Sequence, residues 1–417
     1  MSEAEFLSVL LYGQQIGTLV HVGGEKSLFS FDDSYINDLN RPTLSLSFKD
    51  IYDGLITDQR LYSVRLMPFF SNLLPEGRLR EFLAEGAAIH PDREFQLIKA
   101  LGQDLPGAVR VVATDQRPAR ASAVAVRDFP AAMESDSVLR FSLAGVQLKF
   151  SAIGARPGGL TVPARGIGGD WIVKLPSAHH QGVPENEYSM MDLARQIGIE
   201  VPEFALVDAD EIANLPAGIG SFGGQAYVVR RFDRTADGGS VHIEDFAQVF
   251  GVYPAEKYKK ASHVNIARVI AAETNLADLA EFVRRITFNV LVGNGDMHLK
   301  NWSLSYPDRR NARLSPAYDL VSTLAYIPGD QSALKFSRSR NFADFTFDEL
   351  GHLADRAALP PGLVRDTVLE TIDLFQQRWN SGKNHLPLSG VVRDAIDRHL
   401  ATLPILREAS APGITRR

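Results

Sequence analysis

GNGDMHLKNWSL, Gly293 to Leu304, is the stretch on which the reading of the chain turns. It gathers two glycines, a carboxylate, an imidazole, an ammonium and an amide directly after an apolar run, LADLAEFVRRITFNVLV. The periodicity of that run predicts a helix ending near Val292, because Gly293 and Gly295 accept backbone conformations that terminate helices. Asp296 then falls on a loop at the end of a rigid element, and Trp302 opens WSLSY, a strand candidate that pins the loop.

Asn301 lies five residues after Asp296. In protein kinases that spacing lets one loop set a base on the attacking hydroxyl and an amide oxygen on Mg²⁺. His298 and Lys300, between them, are placed to meet a transferring phosphoryl group and spread its charge. ARLSPAYDLVS follows, with Asp319 eighteen residues after Asn301, where kinases carry the second metal-binding aspartate after a β-hairpin. One Asp, one Asn and nucleotide phosphates are the hard oxygen donors that magnesium takes.

Working outward, Lys174 in DWIVKLPS sits mid-strand between apolar neighbours, where a cation needs a partner. Glu187, Met191 and Ala194 share one face of the next helix, so Glu187 is the expected partner. Pro184 suits the first turn of that helix and Gly198 the position past its end. SLAGVQLKF, Ser142 to Phe150, supplies Gly145 for close backbone approach and Lys149 as a further cation, although it is neither a Walker A loop nor Gly-x-Gly-x-x-Gly. Lys257-Tyr258-Lys259-Lys260 reads most simply as a solvated face and is assigned no site.

The whole chain sets bounds on these readings. At 417 residues it is long enough for two or three structural units. A net charge of −6 argues against coating nucleic acid by electrostatics alone. With no cysteine, disulfides, thiolate metal sites and cysteine nucleophiles are excluded. The N-terminal apolar run is too short for a signal or a membrane span, so a cytoplasmic protein without a membrane partner is expected. Short strand candidates (FLSVLLY, TLVHV, SLFSF, AVRVVAT) and helical stretches fill the part up to about Val112, and Asp115–Ser137 reads as a linker. Strands return from Leu139 to AYVVRRFDR, and beyond Ile243 the pattern, HIEDFAQVFG included, is largely helical.

In this order the chain resembles the HipA family of toxin kinases: SLAGVQLK, WIVKLP, ENEYSMMDLARQIGI, RRFDR, EDFAQVFG, GNGDMHLKN and SPAYDL all match, and RPTLSLSF and FFSNLLPEGRLR look like its N-terminal subdomain. The resemblance covers nearly the whole chain. It implies an α+β, two-lobed protein-kinase-like fold with an extra N-terminal α+β subdomain and a mainly helical C-terminal lobe, divided as 1–136, 137–238 and 239–417. It implies ATP and Mg²⁺, the base at Asp296 and the metal ligands at Asn301 and Asp319. Ala144, Gly145, Val146, Gln147, Leu148 and Lys149 correspond to the phosphate-covering loop, and Lys174, paired with Glu187, to the phosphate-contacting lysine. Arg230, Arg231 and Phe232 occupy the hinge that meets adenine. His298, Leu299, Lys300, Asn301 and Tyr318 line the nucleotide site, and Ser142 matches a loop serine that is autophosphorylated in some members. Many relatives carry a glutamate where Arg230 stands.

The same resemblance implies a protein substrate, an aminoacyl-tRNA synthetase by family precedent, and a helix-turn-helix antitoxin through which operator DNA is bound. Two other functions stay open on the residues. Asp-x-His-x-x-Asn also resembles the catalytic loop of phosphoinositide kinases, which admits a small-molecule or lipid kinase. A catalytically silent co-repressor scaffold is the third reading.

Overall fold

The computed structural model describes residues 5–116, 149–154, 160–162, 168–177, 180–215 and 223–411. The predicted Ser142 and the loop residues Ala144 to Leu148 therefore lie outside the described residues, as does most of the expected linker. The chain forms two compact units, each assembled from separate stretches. The first comprises Met1–Phe141, Asp233–Glu256 and Leu304–Asn311; the second comprises Ser142–Phe232, Lys257–Ser303 and Ala312–Arg417.

The first unit is built on an antiparallel sheet, β4-β3-β2-β1-β5, from β1 (Glu5–Leu11), β2 (Gln14–His21), β3 (Lys26–Phe31), β4 (Tyr62–Ser63) and β5 (Val109–Thr114). Alternation decides which face each residue joins. Leu7, Val9 and Leu11 enter a large core with Phe29, Phe31, Phe69, Phe70 and Ile98. Phe6 packs on a small opposite cluster of Val20, Leu28 and Leu61. Each fully buried side chain of this size contributes about 1.5–3 kcal/mol. Gly17 has to be glycine, since a Cβ there would lie 2.4 Å from the Ser30 carbonyl oxygen.

Two later stretches complete this unit. Asp233 Oδ2 accepts from Gly107 N at 2.8 Å, and Arg234 donates to Asp104 Oδ1 at 2.8 Å and to the Gly107 carbonyl at 2.9 Å. HIEDFAQVFG, expected to be helical, is β10 (His242–Asp245) followed by a short helix, Phe246–Val249. Its first four residues alternate in burial, and Asp245 with Gln248 forms a capping box that starts the helix only at Phe246. From β10, the fully buried Glu244 accepts from Ser45 Oγ, Leu46 N and Tyr306 Oη.

The second unit opens with a four-stranded antiparallel sheet, β6-β7-β9-β8, made of β6 (Lys149–Ala152), β7 (Trp171–Lys174), β8 (Phe204–Asp208) and β9 (Gln225–Arg230). The helix Val183–Gln196 packs on β8 and β9. Pro184 lies in its first turn, and Gly198, at φ +86°, follows its end. Helices His263–Glu273, Leu276–Val292, Phe347–Ala357, Pro361–Gly382 and Gly390–Thr402 make up most of the remainder. Leu276–Val292 is the central one; every residue from Arg285 to Val292 is buried. Trp171, Trp302 and Trp379, all the tryptophans of the chain, are buried in this unit. Among the described residues, no helix is long and apolar enough to cross a membrane.

Candidate active site

The helix Leu276–Val292 ends where the sequence places it. Gly293 caps it at φ +64°, ψ +53°, and its N–H returns to the Asn289 and Val290 carbonyls. Gly295 is needed for a different reason than the expected one. Its backbone is not left-handed, but a Cβ there would lie 1.9 Å from Asp330 Oδ2. Thr323 also holds this turn: its Oγ1 accepts from Gly295 N at 2.9 Å and meets Asp330 Oδ2 at 2.6 Å, and its N–H donates to the Gly293 carbonyl at 3.1 Å.

The turn fixes Asp296. Its N–H donates to Asn294 Oδ1 at 3.0 Å, and Asn294 is itself held by Asn289 at 2.8 Å. Asn301 Nδ2 donates to the Asp296 carbonyl at 2.9 Å, which turns its Oδ1 away from that oxygen. Asp296, His298, Leu299 and Asn301 are all buried, and Lys300 is half-buried. Tyr318 Oη donates to the Lys300 carbonyl at 2.9 Å and also meets Ser303 Oγ, so the 296–303 loop and the segment carrying Asp319 run side by side.

Lys174 lies at the end of β7, and its Nζ donates to both Glu187 and Asp319. Lys149 Nζ, across the β6–β7 pair from Lys174, lies 3.9 Å from Asp319 Oδ2. Asp319 reaches this position through a left-handed backbone, φ +56°, uncommon for a residue with a side chain and found where surroundings enforce it. Burial raises the Asp319 pKa, but the cations of Lys174 and Lys149 outweigh it and hold the carboxyl well below the usual range. Burial likewise works against the Lys174 ammonium, and Asp319 and Glu187 overcome it, so the lysine stays charged. Glu187 goes the other way: burial pushes it up to about 6, Lys174 pulls against that, and the Asp319 charge adds to the rise.

Two residues that the sequence reading left out belong here. Asn186, fully buried beside Glu187, donates through Nδ2 to the Ser322 carbonyl at 2.8 Å and accepts from Ser322 N at 3.1 Å, locking the Glu187 helix to the Asp319 segment. Tyr258 is not part of a solvated face. It is half-buried, its phenol donates to Asp296 Oδ1, and only Lys259 and Lys260 of that basic run are exposed.

The predicted hinge is arranged differently from the carboxyl-bearing cluster. The Arg230 side chain turns to Glu203 Oε2 at 3.3 Å, an exposed pair worth little. The N–H groups of Arg230 and Arg231 are spent on the Glu203 and Asp170 carbonyls, each at 2.7 Å. The Phe232 ring lies 5.6 Å from that of Tyr318.

A buried lysine paired with a helix glutamate, beside a loop that presents an aspartate and an amide, matches the residue set of a kinase-type site. The chain belongs to the HipA family: residues 7–112 match the HipA N-terminal domain and residues 141–379 the HipA-like C-terminal domain. It is 52% identical over 412 residues, covering 98% of this chain and 99% of the relative, to a Sinorhizobium fredii protein named "Putative kinase Y4dM". It is 29% identical over 329 residues, 71% of each chain, to the serine/threonine-protein kinase toxin HipA of Shewanella oneidensis. The solved HipA–HipB–operator DNA complex of Shewanella oneidensis contains a chain of the same fold, with a TM-score of 0.71, 23% identity, and coverage of 97% of this chain and 96% of that one.

Proposed function

We propose that this chain transfers the γ-phosphoryl group of ATP to a serine or threonine hydroxyl of a protein. The observation that carries the reading is Lys174 held between Glu187 and Asp319, next to the loop of Asp296 and Asn301. Lys174 and Lys149 are the cations placed to bind phosphate oxygens. Asp296 accepts the proton as the acceptor oxygen forms its bond to phosphorus; the bond from γ-phosphorus to the bridging oxygen breaks, and ADP leaves with that electron pair. Asp319 and the Asn301 Oδ1 are hard oxygen donors suited to Mg²⁺, which when bound neutralises charge on the phosphates. Among the described residues no three His, Asp or Glu side chains gather as a self-sufficient metal cage, which fits a cation completed by phosphate. With the Arg230 and Arg231 N–H groups engaged, adenine contacts fall to carbonyls of this stretch and to Phe232.

By its likeness to the Shewanella oneidensis toxin and to a chain solved with HipB and operator DNA, the reading extends to a growth-inhibiting toxin. Its partner is then a helix-turn-helix antitoxin that contacts DNA, its substrate a component of translation such as an aminoacyl-tRNA synthetase, and Ser142 a self-modified residue. The test is incubation with ATP and Mg²⁺ beside Asp296→Ala, followed by mass spectrometry of the chain and of lysate proteins. Label on protein serine or threonine that disappears in Asp296→Ala is expected; no label, or label only on lipids or metabolites, would overturn the reading.

A further inference from the structure

Tyr258 touches the proposed base and yet has no part in the transfer just described. Its phenol donates to Asp296 Oδ1. The segment bearing it is fastened at three points. The Tyr258 carbonyl accepts from Arg340 Nη2 at 2.7 Å. The Lys257 carbonyl accepts from Leu299 N at 3.3 Å, within the loop that follows Asp296. The Tyr258 ring stands edge-on to His298, with centroids 5.0 Å apart at 83°.

These contacts set the phenol in one place relative to the loop, unlike a side chain that swings freely over a cleft. An aspartate carboxylate offers roughly four lone-pair sites and turns about two side-chain torsions. A donor of fixed direction on Oδ1 favours one orientation of that carboxylate. We infer that Tyr258 is a positioning residue for Asp296, holding its carboxylate in the orientation that receives the acceptor's proton. The inference rests on the phosphotransfer reading. The basic run is thereby divided by role: Tyr258 serves the site from inside, and Lys259 and Lys260 remain at the surface.

Tyr258→Phe keeps the ring against His298 and removes only the O–H group. Turnover of [γ-³²P]ATP with Mg²⁺ is counted as all phosphate released to water or transferred to protein, with casein added as a general hydroxyl acceptor. The expected result is a kcat lower by about tenfold to a hundredfold, the range for a hydrogen bond to a charged group, with KM for ATP unchanged. A kcat equal to wild type would overturn the inference. So would a fall in ATP affinity as large as the fall in kcat, which marks a packing role. A faster enzyme would show that the phenol blocks the base, and phosphate on Tyr258 would make it an acceptor; either result also overturns the inference. If wild type and Asp296→Ala were equally inert, phosphotransfer itself would fall; if wild type turns over and Tyr258→Phe keeps pace, only the role of Tyr258 does.

Discussion

Lys174→Met replaces the buried ammonium with an apolar chain of similar length and leaves Glu187 and Asp319 facing one another. Lys174 and Glu187 are buried and Asp319 is half-buried. Breaking a buried ion pair by removing one partner costs about 3–5 kcal/mol. For a unit of this size, that lowers the melting temperature by roughly 6–20 °C. The tryptophans make the assay specific, because Trp171, Trp302 and Trp379 all report on the second unit. The loss also has a pH signature. With the cation present, Glu187 already sits at about 6 against an ordinary 4.5, a cost of about 2 kcal/mol at pH 8. A carboxyl raised in the folded state stabilises below its unfolded pKa and loses that stability as pH rises through the folded one. Without Lys174 the Glu187 carboxyl rises further and the Asp319 carboxyl climbs from its depressed position, so the difference from wild type is largest at pH 8 and shrinks toward pH 5. ATP turnover is lost at both values. A difference below about 1 kcal/mol at pH 8, or one that does not change between pH 8 and pH 5, would refute the reasoning.

Asn186→Ala strips the partners from two buried backbone groups of Ser322, at a cost of about 2–3 kcal/mol; tryptophan-monitored melting falls and nucleotide affinity falls with it, whereas an unchanged affinity would separate this lock from the site. In the first unit, burial pushes Glu244 up to about 7 while Ser45, Tyr306 and Leu46 pull it down. Its contribution is therefore present below about 4.5 and fades as pH rises through 7. Protection of the Leu46 amide, corrected for intrinsic exchange, should drop between pH 5.5 and 8.5 by up to about 2 kcal/mol. Glu244→Gln should flatten that dependence, and an identical slope in both proteins would count against it.

Local signals carried much of this structure. Gly293 ends its helix because a left-handed residue was needed there, and Pro184 and Gly198 bracket the helix of Glu187 for reasons visible in the chain. The contact of Lys174 with Glu187 follows from a cation on an apolar strand and a carboxylate on an apolar helix face. What sequence periodicity leaves dark is convergence across distance. Asp319 reaches Lys174 only because its backbone adopts φ +56°, which no neighbouring residue type announces. Tyr258 was hidden by the lysines around it, since composition averages over a residue that points the other way. Asn186 lay in plain view on a helix, but its partner Ser322 is 136 residues away. The strand in HIEDFAQVFG had a usable signal: Asp245 and Gln248, three apart, mark a helix beginning later than the apolar pattern suggests.

The first unit borrows Asp233–Glu256 and Leu304–Asn311 from far along the chain. On a ribosome, Ser45, Leu46 and Gly107 emerge long before Glu244, Asp233 and Tyr306 exist to meet them. At translation speeds of about 5–20 residues per second, the wait between Phe141 and Asn311 is roughly 10–30 s. During that interval the nascent sheet must either persist half-dressed or be shielded by a chaperone. Its completion is thus tied to synthesis of the very loop that carries Asp296, so no polysome holds a finished first unit without that loop already made.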